Sequence, residues 1–203
     1  MKPLGVGIIG CGFAGSLHAN SYATVTQQGK VKLVAACDVN ENAAKTMVTE
    51  YKMDSYYTDW QDLITRKDID PVAICLPHYL HADLTVAAAK AGKHVLCEKP
   101  MATTLEGCDR MIKAAKEAGV KLMIAENHRF LPAHTKIKQL VAEGTIGKIL
   151  LARAFEGVDG YLYLSKEDAW HFTWDKAGGG TLMDAGVHRC AVLRWLLGEV
   201  DFA

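Results

Sequence analysis

Over residues 1–126, short apolar runs alternate with longer stretches of helical character. Residues 6–9 form an apolar strand, and residues 14–27 can be a helix opening in a glycine loop. Residues 31–37 are mostly apolar, as a strand buried on both faces should be. Asn40 is placed to cap a helix through Tyr51, and Asp59 to cap a short helix over 60–65. Residues 71–76 form a third strand ended by Pro77. An alanine-rich helix over 82–91 stops at Gly92, and residues 94–97 form the fourth strand. Thr103 or Thr104 caps the next helix, Thr103 having Glu106 three residues on, as in a capping box. That helix runs to Ala118 and stops at Gly119, and residues 120–125 form a fifth strand. Repeated strand–helix–strand units of this length imply a parallel sheet covered on both faces.

The pattern then changes. Pro132 begins a helix that Gly144 stops, residues 148–156 read as a longer strand, and residues 157–176 are rich in aromatics and charges without a clear period. Gly178-Gly179-Gly180 precedes an apolar helix over 181–197, ended by Gly198. The expected division is a parallel-sheet domain over 1–126 and the start of a second domain over 127–203, unfinished at Ala203.

Composition narrows the classes. The 203 residues are 50% hydrophobic and 23% charged, with net charge +0, which is ordinary globular composition. No basic field favours nucleic acid or an anionic membrane, and no apolar run approaches the roughly 18 residues of a span. The N-terminus lacks the apolar core of a signal peptide, so a cytoplasmic protein is expected. Cys11, Cys37, Cys75, Cys97, Cys108 and Cys190 are scattered, mostly at strands. They read as small core residues in a reducing compartment, with no clustered ligands for a metal. Cys97 is the one candidate for a reactive thiol.

Gly10-Cys11-Gly12-Phe13-Ala14-Gly15 is G-x-G-x-x-G between a strand and a helix. The first glycine permits the tight turn, the second lets backbone approach a pyrophosphate, and the third allows close helix packing. The helix N-terminus offers N–H groups and a partial positive charge to phosphates. Asp38, after the second strand, can accept from both ribose hydroxyls of an adenosine and would repel a 2′-phosphate. NAD is therefore expected over NADP, unless a basic residue such as Lys32 or Lys45 reverses the choice.

Glu98-Lys99-Pro100 follows the fourth strand, at the sheet edge where open α/β proteins place their chemistry. Oxidation of a secondary alcohol needs a base for the hydroxyl proton and a cation for the developing alkoxide. Lys99 can be the cation and His188 the base, since imidazole titrates near neutrality. Asp184, four residues before His188, lies on the same helical face. It can bind the substrate hydroxyl or hold the charge state of the other two. The alternative is a helix-terminal aspartate and a partly buried histidine.

Taken together, several ordered motifs point one way: the loop from Gly10 to Gly15; Leu76-Pro77 followed by His81; Ala91-Gly92-Lys93-His94-Val95; and Glu98-Lys99-Pro100. Arg129-Phe130, Gly144-x-x-Gly147, and Gly178-Gly179-Gly180 leading to Asp184-x-Gly186-x-His188 complete them. With these the chain resembles the glucose–fructose oxidoreductase / inositol dehydrogenase / rhizopine catabolism (Gfo/Idh/MocA) family. The resemblance implies a Rossmann domain followed by a domain with a large, mainly antiparallel sheet, and a homo-oligomer for a full-length form. It implies that Lys99, Asp184 and His188 surround the substrate, that Glu98 and Lys99 lie by the nicotinamide ribose, and that the Lys99–Pro100 bond is cis. Leu76, Pro77 and His81 would line the cofactor cleft, and Asn127 would touch its nicotinamide end. For His81, a helix-cap or core role is the equal alternative.

Trp170, His171 and Trp174 offer aromatic faces to a small polyhydroxylated substrate, with Tyr161 and Tyr163 as weaker candidates. The expected activity is hydride transfer between NAD and a secondary alcohol of a sugar, cyclitol or nucleotide sugar. The alternatives are an NAD-dependent glycosidase or lyase using transient oxidation, and a non-catalytic NAD-binding regulator. Members of the family are longer than this chain, which is read as a fragment, a split subunit or a natural short form.

Overall fold

The computed structural model describes residues 3–155 and 170–201. Tyr161 and Tyr163 lie outside them. The chain divides into two compact units, Met1–Ala125 and Glu126–Ala203.

The first unit is a six-stranded, wholly parallel sheet in the order β3-β2-β1-β4-β5-β6. Its strands are β1 (Leu4–Ile9), β2 (Val31–Cys37), β3 (Ser55–Tyr57), β4 (Pro71–Ile74), β5 (His94–Cys97) and β6 (Leu122–Ile124). Five helices connect them: α1 (Phe13–Thr26), α2 (Glu41–Tyr51), α3 (Trp60–Ile64), α4 (His81–Lys90) and α5 (Leu105–Glu117). Strand order reverses between β1 and β4, which creates a crevice at the carboxyl ends of the strands.

Side-chain alternation in the strands builds a core on each face. Val6 and Ile8 of β1 pack with Ala19 of α1 and Met47 of α2. Ile9 points the other way, into a cluster with Leu63 of α3, Leu84 and Ala88 of α4, and Met111 of α5.

Two expectations for this unit change. The sheet has a sixth strand, β3, whose three residues are too few to show a period. The cap of α5 is Thr104, whose hydroxyl accepts from the Gly107 N–H at 3.0 Å, so Thr103 and Glu106 form no capping box. Asn40 and Asp59 cap α2 and α3 as their sequence positions predict.

In the second unit, α6 (Pro132–Ala142) begins with proline at its first turn. Residues 148–155 are not a strand. Apolar character alone makes no ladder, and no partner strand pairs with them among the described residues. Leu150 and Leu151 are exposed instead. Expected as one helix, residues 181–197 are a π-helical turn, Leu182–Gly186, continued by α7 (Val187–Leu197). No helix among the described residues is long and apolar enough to cross a membrane.

Candidate functional site

Four segments follow consecutive strands at the carboxyl edge of the first unit's sheet. The glycine loop follows β1, Asp38 follows β2, Leu76-Pro77 follow β4, and Glu98-Lys99 follow β5.

The three loop glycines differ physically. Gly10 has φ +98°, and a Cβ there would lie 2.2 Å from the Cys75 carbonyl oxygen. A Cβ on Gly15 would lie 2.0 Å from the Gly10 carbonyl oxygen, so α1 starts against the loop it leaves. Gly12 has nothing within 4 Å of that position. It is the N-cap of α1, and no side chain caps the helix. The first-turn N–H groups, those of Phe13, Ala14 and Gly15, therefore lack an intrahelical acceptor and suit a pyrophosphate. Phe13 and Val39 are strongly exposed apolar residues flanking this edge.

Asp38 is already engaged with the loop. One carboxylate oxygen accepts from the Cys11 N–H at 2.7 Å, and the other from the Asn40 N–H at 2.8 Å. A carboxylate has about four acceptor positions, so capacity for ribose hydroxyls remains. Lys32 is paired with Asp54 at 2.6 Å, and Lys45 with Glu41 at 2.9 Å. These residues fit an NAD adenosine and pyrophosphate.

Glu98 is held from two sides. Oε1 lies 2.8 Å from Nε2 of His18 on α1, and Oε2 accepts from the Lys99 N–H at 3.0 Å. Burial pushes the Glu98 carboxyl up, but these hydrogen bonds outweigh it and hold the group below its ordinary value. The Lys99–Pro100 peptide is cis.

His81 has a different place from the expected cleft position. It is fully buried, with Nδ1 2.8 Å from the Pro100 carbonyl and Nε2 2.8 Å from the Leu76 carbonyl. At 0% exposure the ring is beyond a ligand's reach; it lies between the segment after β4 and the Glu98-Lys99-Pro100 turn, and when neutral donates to one of the two carbonyls. Leu76 and Pro77 remain half-buried at the edge. Cys97 is also fully buried, and burial pushes its thiol up to about 12, so it is no thiolate nucleophile.

The second unit holds its own cluster. His188, in the first turn of α7, lies with Nδ1 2.6 Å from Oε2 of Glu126. The other Glu126 oxygen accepts from the His128 N–H at 2.9 Å. The rings of His128 and His188 stack at 3.9 Å between centroids and 6° between planes. Arg189 places a guanidinium nitrogen 3.5 Å from Nδ1 of His128. Burial, then the neighbouring His188, push the His128 pKa below the ordinary histidine value. Asp184 sits in the π turn, half-buried. Asn127 is exposed.

Ligand atoms of Glu126, His128 and His188 lie within 4.8 Å of one another. An imidazole binds a metal along a lone pair in its ring plane, and two parallel stacked planes share no such point. The cluster is therefore a hydrogen-bonded array in this geometry. Trp170 stacks on His171 at 3.7 Å, and Trp174 is exposed.

Residues 4–126 match the family described as the oxidoreductase family with an NAD-binding Rossmann fold, and residues 134–202 match its C-terminal domain. The chain belongs to the Gfo/Idh/MocA family.

Among curated relatives, levoglucosan dehydrogenase of Pseudarthrobacter phenanthrenivorans is 35% identical over 98% of this chain and 52% of its own length. Myo-inositol 2-dehydrogenase of Thermotoga maritima is 32% identical over 96% and 55%. Among solved structures, a levoglucosan dehydrogenase complex with NADH and levoglucosan superposes with a TM-score of 0.84 at 33% identity, over 98% of this chain and 55% of that one. Myo-inositol 2-dehydrogenase from Lactobacillus plantarum gives 0.85 at 30%, over 97% and 57%. The chain spans about half the length of the curated relatives it matches.

Three residues at these clusters escape the sequence reading: His18, Glu126 and His128. His18 lies on α1 beyond the glycine motif, and only tertiary structure pairs it with Glu98. Glu126 had a signal, since it stands two residues past β6, directly before the Asn127 that was singled out.

Proposed function

We propose that this chain carries the NAD-binding half, and the start of the substrate half over 127–203, of a dehydrogenase acting on a secondary alcohol of a sugar, cyclitol or nucleotide sugar. The observation that carries the reading is the meeting of the open Gly12 position, the loop-bound Asp38 and the braced Glu98-Lys99 turn at one sheet edge. Relatives named for levoglucosan and myo-inositol support a polyhydroxylated ring as substrate class. The exposed Trp174 face and the Trp170–His171 stack suit such a ring.

When bound, NAD accepts the two electrons and the hydrogen that leave the carbinol carbon as it becomes a carbonyl. His188 takes the hydroxyl proton, Lys99 steadies the oxygen as negative charge develops, and Asp184 positions the hydroxyl. Asp38 favours NAD over NADP, because its ionised carboxylate opposes a 2′-phosphate while Lys32 and Lys45 are committed elsewhere.

A panel of polyols and anhydrosugars followed by NADH fluorescence tests the reading on the intact protein. With the substrate so found, Lys99→Ala lowers kcat by about 10²–10³-fold while NAD affinity stays within about threefold. Full turnover in that variant removes Lys99 from the chemistry. Calorimetric titration giving NADP equal or better affinity overturns the cofactor choice.

A further inference from the structure

We infer that Glu126 is the positioning residue for His188, fixing which ring nitrogen faces the reaction; this rests on the proposed role of His188 as proton acceptor. A carboxylate only accepts hydrogen bonds, so the 2.6 Å contact puts the proton of His188 on Nδ1. Nε2 is left with the lone pair that takes the hydroxyl proton. The imidazolium then formed lies against a carboxylate, which stabilises it, and the proton stays on Nε2 until the ring is relieved of it. Glu126 does not itself take a proton.

The surroundings support a placed dyad. Both side chains are mostly buried, at 14% exposure for His188 and 17% for Glu126. The backbone N–H of His128 fixes one carboxylate oxygen while the other meets the imidazole. The His128 ring lies flat on His188 and so restricts rotation of that ring about its side-chain bonds. The Arg189 guanidinium can only donate, so His128 Nδ1 is the acceptor there. Depression of the His128 pKa agrees, leaving a neutral ring stacked on His188. His134 adds an anchor, its Nδ1 lying 2.7 Å from the His128 carbonyl.

The test reads the tautomer directly. Protein labelled with ¹⁵N-histidine is studied by long-range proton–nitrogen correlation above neutral pH, with His188→Asn identifying the His188 signals. The expected wild-type spectrum has a protonated Nδ1 and a bare Nε2. Glu126→Gln shifts the proton toward Nε2, because the amide can donate to Nδ1. In the intact protein the same substitution lowers kcat by about 10²-fold or more, with KM moved less than about threefold. A wild-type spectrum with Nε2 protonated overturns the inference without any variant. So does a Glu126→Gln protein with unchanged tautomer and kcat while His188→Ala is inactive. If His188→Ala itself keeps full kcat, the proton-acceptor reading falls, whatever the tautomer.

Discussion

The N-terminal unit buries both faces of its sheet, whereas the C-terminal unit, among its described residues, leaves more than half of its large apolar side chains in solvent. Ile8, Leu63, Val72, Ile74 and Met111 are all 0% exposed. In the second unit the described buried hydrophobics are Ala177 and Val192, while Leu150 is 88% and Phe155 89% exposed. An open groove of about 340 Å³ there is lined by Val141, Ile149, Leu150, Leu151, Ala152, Leu196 and Leu197. Each unit nevertheless holds one close glutamate–histidine pair, Glu98–His18 and Glu126–His188. The difference separates two kinds of order. A repeating strand–helix unit closes its own core and can present a site at its edge. A hydrogen-bonded pair needs only a few neighbours, and persists where the apolar layer around it lacks cover.

The sharpest break of the comparison comes from the glycine loop. Gly15→Ala forces a Cβ onto the Gly10 carbonyl oxygen at 2.0 Å, a backbone atom that cannot swing aside. Loss of about 3 kcal/mol or more of unfolding free energy follows, read by urea denaturation. Gly12→Ala, with open space at its Cβ position, leaves stability within about 0.5 kcal/mol. It weakens NAD by about tenfold instead, because the methyl occupies the approach to the helix N-terminus. Equal destabilisation by the two changes would mean that the loop glycines do not divide the work this way.

A second test compares the cores themselves. Leu63→Ala, on α3 under the sheet, removes a side chain from a fully packed cluster and costs about 3 kcal/mol. Leu150→Ser in the second unit changes stability by less than about 0.5 kcal/mol and raises solubility. A large loss from Leu150→Ser would show that the groove is covered in solution.

How far the sequence reading reached follows the same division. Strands β2 and β5 and helix α2 could be read nearly to the residue, since apolar runs and a capping Asn40 are local signals. The Gly10-Gly12-Gly15 spacing also carried its meaning, each glycine answering a separate steric demand. β3 was invisible because three residues show no period. The run over 148–155 misled because a strand is defined by its partner, not by its own apolarity. Lys99 in the first unit and His188 in the second were legible as residue types suited to proton handling. The partners His18 and Glu126 were not, because they lie 80 and 62 positions from the groups they touch. His81 showed the converse: a motif position suggested ligand contact, and two carbonyls claimed the ring.

The smallest expected effect concerns that buried ring. Burial lowers the His81 pKa, and nearby Lys99 adds to this, while the Pro100 and Leu76 carbonyls and Glu98 oppose it. The His78 ring also faces it, edge-on at 5.8 Å. With a folded value below the unfolded 6.5, the unfolded chain binds the proton more readily as pH falls. Stability of the N-terminal unit is therefore level above about pH 7 and declines as pH drops below about 6.5. Glu98 acts in a separate window, since its folded pKa lies below 4.5, and its contribution is lost only as pH falls further. Urea midpoints between about pH 8 and about pH 3 separate the two. His81→Asn lowers the midpoint at every pH yet flattens the decline just below 6.5, leaving the more acidic one in place. An unchanged slope in that variant would move the proton uptake to another histidine, with His128 of the second unit, also held below its ordinary value, the next to test.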